Sequence, residues 1–247
     1  MKRSLVIVII ILAYCSMLNA SPYASSVISF NQGVGADIGY DNAEVVLGVP
    51  PVVDSYVWPV STTAAPWEAT EVLSLGNGGS ITIAFDHQVV NNSEDVEYGT
   101  DFLIFGNAFF ATDWEGDGSI VYAYFEPAKI EVSQDGITFY EIANTYADAL
   151  YPYTAAAGDF VHATPAGISY MGRMPNDVEA DYAGGCGGTQ VDISDAIGIS
   201  LDWIMYVRVT DIKGDSELAD VVGFADVIPE PTTMFILLAG VGFLRKK

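Results

Sequence analysis

The chain has 247 residues, of which 32 are Asp or Glu and nine are Lys or Arg, giving a formal net charge of −23 at neutral pH. So few cations exclude a phosphate-binding surface, and nucleic acid as a partner with it, because phosphate recognition requires clustered Lys and Arg. With 51% hydrophobic residues the chain has ample material for a packed core and does not read as disordered.

The amino terminus opens on Lys2 and Arg3, continues as an unbroken apolar run from Leu5 to Ala13, and turns small and polar up to Ala20 and Ala24. That order predicts a secretory signal peptide over residues 1–24, cleaved after Ala20 or Ala24. The run is short for a permanent membrane span, which takes about 20 residues. Cys15 raises a lipid-anchored alternative, but Tyr14 stands where a small residue would be wanted.

Residues 25–228 predict a single all-β domain, a two-sheet β-sandwich of jelly-roll type, with short strands punctuated by Gly, Asn and Asp. After the turn residues Asn77, Gly78 and Gly79, Ser80–Phe85 alternates Ile81, Ile83 and Phe85 with Thr82 and Ala84, the period of a strand with one buried face. Asp101–Phe105 is more continuously apolar and predicts a buried strand bounded by Gly99 and Gly106. Ala128–Ser133 alternates again and leads through Asp135-Gly136, a pair that allows positive φ, into a hairpin return over Ile137–Ile142. The 34 residues from Thr145 to Val178 carry Pro152, Pro165 and Pro175 and read as a long loop. Val191–Ile197 has room for a short helical turn. Trp203–Thr210 alternates Trp203, Met205, Val207 and Val209 with Ile204, Tyr206, Arg208 and Thr210, and Val221–Val227 closes the sheet.

At the carboxyl end Pro229, Glu230 and Pro231 precede an apolar run from Met234 to Leu244 and three terminal cations, Arg245, Lys246 and Lys247. This three-part order over residues 229–247 resembles the PEP-CTERM sorting signal. The resemblance implies a sorting helix that anchors the exported protein transiently in the inner membrane until an exosortase-type protease processes it. The bland alternative is an apolar terminal helix docked on the body, against which the terminal cations fit retention on the inner face. The apolar run is short for a full span and would draw on Thr232, Thr233 and local bilayer thinning.

The body itself resembles secreted bacterial cell-surface β proteins that carry such tails. The shared segments are Leu47–Pro50, Ser74–Thr82, Asp101–Asn107, Phe125–Ala128, Val132–Gly136, Gly184–Asp195 and Val207–Asp211. Two positions depart from that pattern: Gly106 stands in place of Glu, and Val191-Asp192-Ile193 is only similar to Phe-Asp-Leu. The resemblance implies location and fold, and brings no activity with it.

With both ends set aside, only Lys129, Arg173, Arg208 and Lys213 face 31 acidic residues, so the body is near −27 and divalent cations are its natural counter-charge. Asp113-Trp114-Glu115-Gly116-Asp117-Gly118 places carboxylates at alternate positions before a Gly, the start of a calcium loop. The twelfth place is Tyr124 rather than Glu, so the segment is not an EF-hand, and the expected ligands are Asp113, Glu115 and Asp117 joined by Glu126 or Asn107. Its bland alternative is a solvated acidic loop that serves solubility.

His87 and His162 read as exposed loop or strand-end residues, and neither belongs to a zinc spacing. No Gly-x-Ser-x-Gly elbow, phosphate loop or Cys-x-x-Cys pair occurs, so no catalytic residue is assigned. Paired carboxylates leave a polysaccharide-degrading hydrolase as the alternative. Cys186, between Gly184-Gly185 and Gly187-Gly188, reads either as a small packing residue or as an exposed thiol able to cross-link two chains. Tyr146, Tyr151, Tyr153 and Tyr170 lie in the Pro-rich segment, where no strand is predicted to bury them, and are the candidate ligand-binding set because sugar rings stack on aromatic faces. The expectation is a non-catalytic exported protein of the cell surface or extracellular matrix that binds polysaccharide or matrix partners.

Overall fold

A computed structural model describes residues 21–53, 58–92, 97–148, 151–212, 214 and 218–227. The chain is mostly β, organised in several antiparallel sheets. Its strands are β1 (Ser26–Asn31), β2 (Leu73–Ser74), β3 (Ser80–Val90), β4 (Phe102–Phe105), β5 (Phe109–Thr112), β6 (Ile120–Tyr124), β7 (Ala128–Ser133), β8 (Tyr140–Ala147), β9 (Thr189–Val191), β10 (Trp203–Asp211), β11 (Asp220–Val221) and β12 (Gly223–Asp226). A five-stranded sheet runs β1-β3-β10-β7-β8, a three-stranded sheet runs β12-β4-β9, and β5-β6 and β2-β11 form two-stranded pairs. The signal segment up to residue 20 and the tail from residue 228 lie outside the described residues.

The alternation of β4 assigns its two faces. Phe102 and Ile104 enter a cluster with Ile81 and Ile83 of β3, Ile130 and Val132 of β7, and Val207 and Val209 of β10, so one core lies between the five-stranded and three-stranded sheets. Leu103 and Phe105 enter a second cluster with Val60, Val72, Tyr153, Phe160 and Cys186 on the opposite side. A strand buried on both faces has no polar stripe, which is why this segment reads as a continuous apolar run. The chain crosses between the two sheets just before β1, where Ala24 N–H donates to Phe224 O at 3.2 Å and Ser25 N–H to Ala84 O at 2.9 Å.

Three predicted elements change in detail. In β10 the buried apolar residues are Ile204, Val207 and Val209, whereas Trp203 and Met205 are only partly buried. Ile204 pairs with Val89 and Tyr206 with Ala84, so a bulge between them inverts the alternation on one side of Met205. The hairpin between β7 and β8 returns at Tyr140 rather than at Ile137. Its turn is lengthened because the Asp135 carboxylate accepts from both Ile137 N–H and Thr138 N–H at 2.8 Å, while Gly136 supplies φ of 71°. The predicted closing strand divides into β11 and β12, which belong to different sheets.

The long segment after β8 is not an open loop. It contains the helix α1 (Pro175–Asp181), with proline at its start, where the missing N–H costs nothing. Tyr151, Val178 and Tyr182 form a third cluster with Phe110 and Ile120. Glu179 ties α1 to the body by accepting from both the amide and the hydroxyl of Thr62 at 2.9 Å.

On its outer face the five-stranded sheet carries two of the few body cations. Arg208 lies 3.6 Å from the Phe139 ring centroid, and Lys129 approaches Glu131 at 3.3 Å. Asp211 closes the same strand from within. It is 3% exposed and accepts from Gly78 N–H at 3.1 Å and Ala219 N–H at 2.8 Å. Asp211→Ala would leave those two amides without their acceptor and is expected to cost about 3 kcal/mol, read as a lower midpoint in urea unfolding.

Candidate functional site

The second half of β8, Thr189 and Gln190 of β9 and three turns surround an open cleft of about 470 Å³. Its aromatic surfaces are Tyr98, Tyr146 and Tyr151, and its polar groups include Asn144, Gln190, Asp192 and Asp195. Tyr151 forms a rigid floor. It is 6% exposed, its hydroxyl accepts from Gly167 N–H at 3.0 Å, and its ring meets Tyr182 edge-on at 5.9 Å. Tyr146 and Tyr98 are 46% and 59% exposed and stand at the rim.

Several backbone and side-chain contacts hold this arrangement. Thr189 Oγ1 donates to Tyr146 O at 3.1 Å, tying β9 to β8. Gln190 Oε1 accepts from Thr164 N–H at 2.8 Å and Thr100 Oγ1 at 3.2 Å, which fixes the amide and leaves its NH₂ as the donor for a ligand. Tyr98 and Asn144 have φ of 57° and 58°. Left-handed backbone in two non-glycine residues of one cleft is strain of the kind that accumulates at binding sites. Asp192 Oδ1 accepts from Ser194 N–H at 2.7 Å and caps the single turn Ile193–Asp195. Burial, and then the Asp192 charge, raise the pKa of Asp195 above its ordinary value.

No protein-family model and no curated protein matches this chain.

The predicted tyrosines divide. Tyr146 and Tyr151 share the cleft, but Tyr151 is buried and serves as floor. Tyr153 is 2% exposed, packed edge-on against Phe105 at 5.3 Å and Phe160 at 5.7 Å, and its hydroxyl donates to Pro51 O; the expectation that it is exposed is corrected. Tyr170 is half-buried and stacks on Phe110 at 4.7 Å. Sequence reasoning missed Tyr98, whose only local signal is the Gly99 that follows it, and the exposed aromatic hairpin in which Phe109 stacks on Tyr124 at 5.4 Å. The sorting residues Pro229, Glu230, Pro231, Arg245, Lys246 and Lys247 lie outside the described residues.

The predicted calcium ligands are not brought together. Asp113, Glu115 and Asp117 occupy the tip of the β5–β6 hairpin, where Asp117 accepts from Ser119 N–H at 2.9 Å and Asp113 O accepts from Gly116 and Gly118. Asn107 precedes β5 and Glu126 follows β6, so both lie at the base, and four paired positions of about 3.3 Å each separate base from tip. Among the described residues no three His, Cys, Asp or Glu side chains form a metal-ligand group.

Other acids are used inside the fold. Asp101, 1% exposed, accepts from Asn92 N–H at 2.9 Å and Ile193 N–H at 2.7 Å, and burial pushes it up to about 6. His87 is not a loose strand-end residue. The irregular stretch of β3 aims its Nε2 at Asp226 Oδ2, 2.9 Å away on β12, while Nδ1 lies 2.8 Å from Asp86. The Asp226 contact raises the His87 pKa, and burial raises that of Asp226 despite His87. Cys186 is fully buried in the second cluster, as a packing residue, with its thiol donating to His162 O at 3.1 Å. His162 is partly exposed beside Asp159, 3.5 Å away.

Burial also pushes Asp220 up to about 7 and raises Asp148 well above the carboxylate range, the latter with help from the Asp220 charge. Asp101, Asp148, Asp220, Asp226 and His87 therefore hold protons more tightly folded than unfolded. The stability they contribute is complete below their unfolded values, near 3.8 for Asp and 6.5 for His, and is lost as pH rises through the folded ones. Asp117 and Asp135, lowered by hydrogen bonds, act oppositely, but only as pH falls below 3.8. With chelator present the urea midpoint is expected to be higher at about pH 5 than at about pH 8; a midpoint that rises over this interval would contradict the assignment.

Proposed function

We propose that this chain is a non-catalytic exported protein of the cell envelope or extracellular matrix, and that its tyrosine-lined cleft binds polysaccharide. The observation that carries the reading is the convergence of Tyr98, Tyr146 and Tyr151 with Asn144, Gln190 and Asp192 in one open groove. Aromatic rings offer faces to the C–H surfaces of sugars, while amides and carboxylates take the hydroxyls. In this reading the five-stranded and three-stranded sheets are the two layers of a jelly-roll-type sandwich, supported by the core that their side chains share.

Binding is favoured over hydrolysis by the placement of the cleft carboxylates. Asp192 caps the 3₁₀ turn that Asp195 ends, so both acids come from one short stretch at one edge of the cleft. A glycosidase pair must instead flank the scissile bond from opposite sides. Export and sorting rest on the amino-terminal signal pattern and on the Pro229–Pro231, apolar and basic order of the tail. The exosortase-type protease and transient inner-membrane anchoring follow from that order.

Two experiments test these parts separately. Tyr98→Ala and Tyr146→Ala, both at exposed positions, are each expected to weaken binding to the producing cell's matrix polysaccharide about 3- to 10-fold in a titration, with Trp114→Ala at the hairpin tip as control. Equal affinity in all three variants would remove the cleft from the account. In an exporting host the mature chain is expected to begin at Ser21 or Ser25, and deletion of residues 229–247 is expected to release it into the medium. Recovery of an intact amino terminus from cytosol would overturn the export assignment.

A further inference from the structure

We propose that Asp148 Oδ2 and Asp220 Oδ1 are the two carboxylate ligands of a hard divalent cation, calcium by class, held where the end of β8, β11 and the segment 106–108 meet. This inference rests on neither export nor polysaccharide binding.

Two adjacent residues bring the carboxylates together. Ala108 N–H donates to Asp148 Oδ1 at 3.0 Å, and Asn107 Nδ2 donates to an oxygen of Asp220 at 2.9 Å. Asn107 and Ala108 are consecutive, and the Asp220 charge acts on Asp148, so the two acids are neighbours although 72 positions separate them in the chain. Gly106 completes the cradle, since a Cβ there would overlap the Asp148 carboxylate.

The unused oxygens are what single out this pair. Asp148 is 3% and Asp220 9% exposed, and Asp148 Oδ2 and Asp220 Oδ1 are the buried side-chain atoms without a hydrogen-bond partner among the described residues. Buried acids elsewhere in the same protein are served on both oxygens: Asp101 by Asn92 and Ile193, Asp211 by Gly78 and Ala219. An unserved carboxylate oxygen in the interior is costly, and two such acids that feel one another's charge increase the demand for positive charge.

The surroundings supply more negative charge. Glu126, whose amide donates to Asp148 O at 3.2 Å, acts electrostatically on both acids; Asp37 acts on Asp220, which in turn acts on Tyr40. Among the described residues the ion pairs of Lys129 and Arg208 go to Glu131 and Glu141, and that of Arg173 to Asp181.

Calcium accepts carboxylate, amide, main-chain and water oxygens in flexible number, whereas magnesium demands a tighter octahedron. Two carboxylates rather than three set a weak site, with Kd of about 10⁻⁴ to 10⁻³ M, in the range of extracellular calcium modules. Asn107 also lines an open cleft of about 300 Å³ beside Trp67 and Phe109, so the residue that holds Asp220 borders solvent.

The experiment is thermal unfolding of the full chain near pH 7.5 in chelator, and then in ~10 mM calcium or magnesium, expecting a rise of about 5 °C with calcium and less with magnesium. Asp148→Asn and Asp220→Asn are expected to abolish the calcium rise, whereas the hairpin-tip double variant Asp113→Asn, Asp117→Asn is expected to keep it. Equilibrium dialysis of the unaltered chain should find calcium bound, with the occupancy lost near pH 5, where protons replace the ion. If either Asn variant fails to fold, dialysis of the hairpin-tip variant decides, since loss of calcium from that folded variant would overturn the assignment. No bound calcium in the unaltered chain, or a rise lost only in the hairpin-tip variant, would overturn the assignment.

Discussion

β4 sends Phe102 and Ile104 into one core and Leu103 and Phe105 into another, so the three-stranded sheet has no face left for solvent. Leaving one side bare would expose several large apolar side chains, each worth about 1.5–3 kcal/mol of burial. The five-stranded sheet covers one side. The other must be covered by chain that forms no sheet of its own, and Val60, Val72, Tyr153 and Phe160 supply that cover. The Pro-rich segment is ordered for this reason, and its order gives the cleft a floor.

The same constraint distributes the charge. An acidic body that buries this much of its backbone uses carboxylates as acceptors where strands end or bend, as Asp211 does for Gly78 and Ala219 and Asp101 for Asn92 and Ile193. Each such acid replaces water for two amides that would otherwise lack a partner, at the cost of desolvating a charge. Binding protons lowers that cost. The acidity of the chain is thus partly an internal matter of the fold and not only a surface property that confers solubility.

How much of this was legible follows from the range of each interaction. β3, β4, β7 and β10 were readable because period and burial are local properties of a strand. The bulge in β10 was not, because its cause is the four residues of β3 between Ala84 and Val89, far away in sequence. α1 was hidden by reading Pro175 as loop punctuation rather than as a helix start. Tyr151 and Tyr153 looked exposed because no strand lay near them, yet β4, whose Phe105 packs on Tyr153, comes from earlier in the chain. The cleft joins residues from 98 to 195, and no spacing rule spans that interval. The acidic hairpin tip drew attention because its carboxylates are close in sequence, whereas Asp148 and Asp220 become neighbours only through Asn107 and Ala108.

Cys186 gives this architecture a built-in reporter. Its thiol is fully enclosed beneath the residues that cover the outer side of β4, and Cys15 lies in the segment removed on export in the reading given above. An alkylating reagent in solution would then meet sulfur only when that cover lifts. The rate of labelling would measure the opening of the cover independently of the main core, and would show whether the two sides of the sheet come apart together or in sequence.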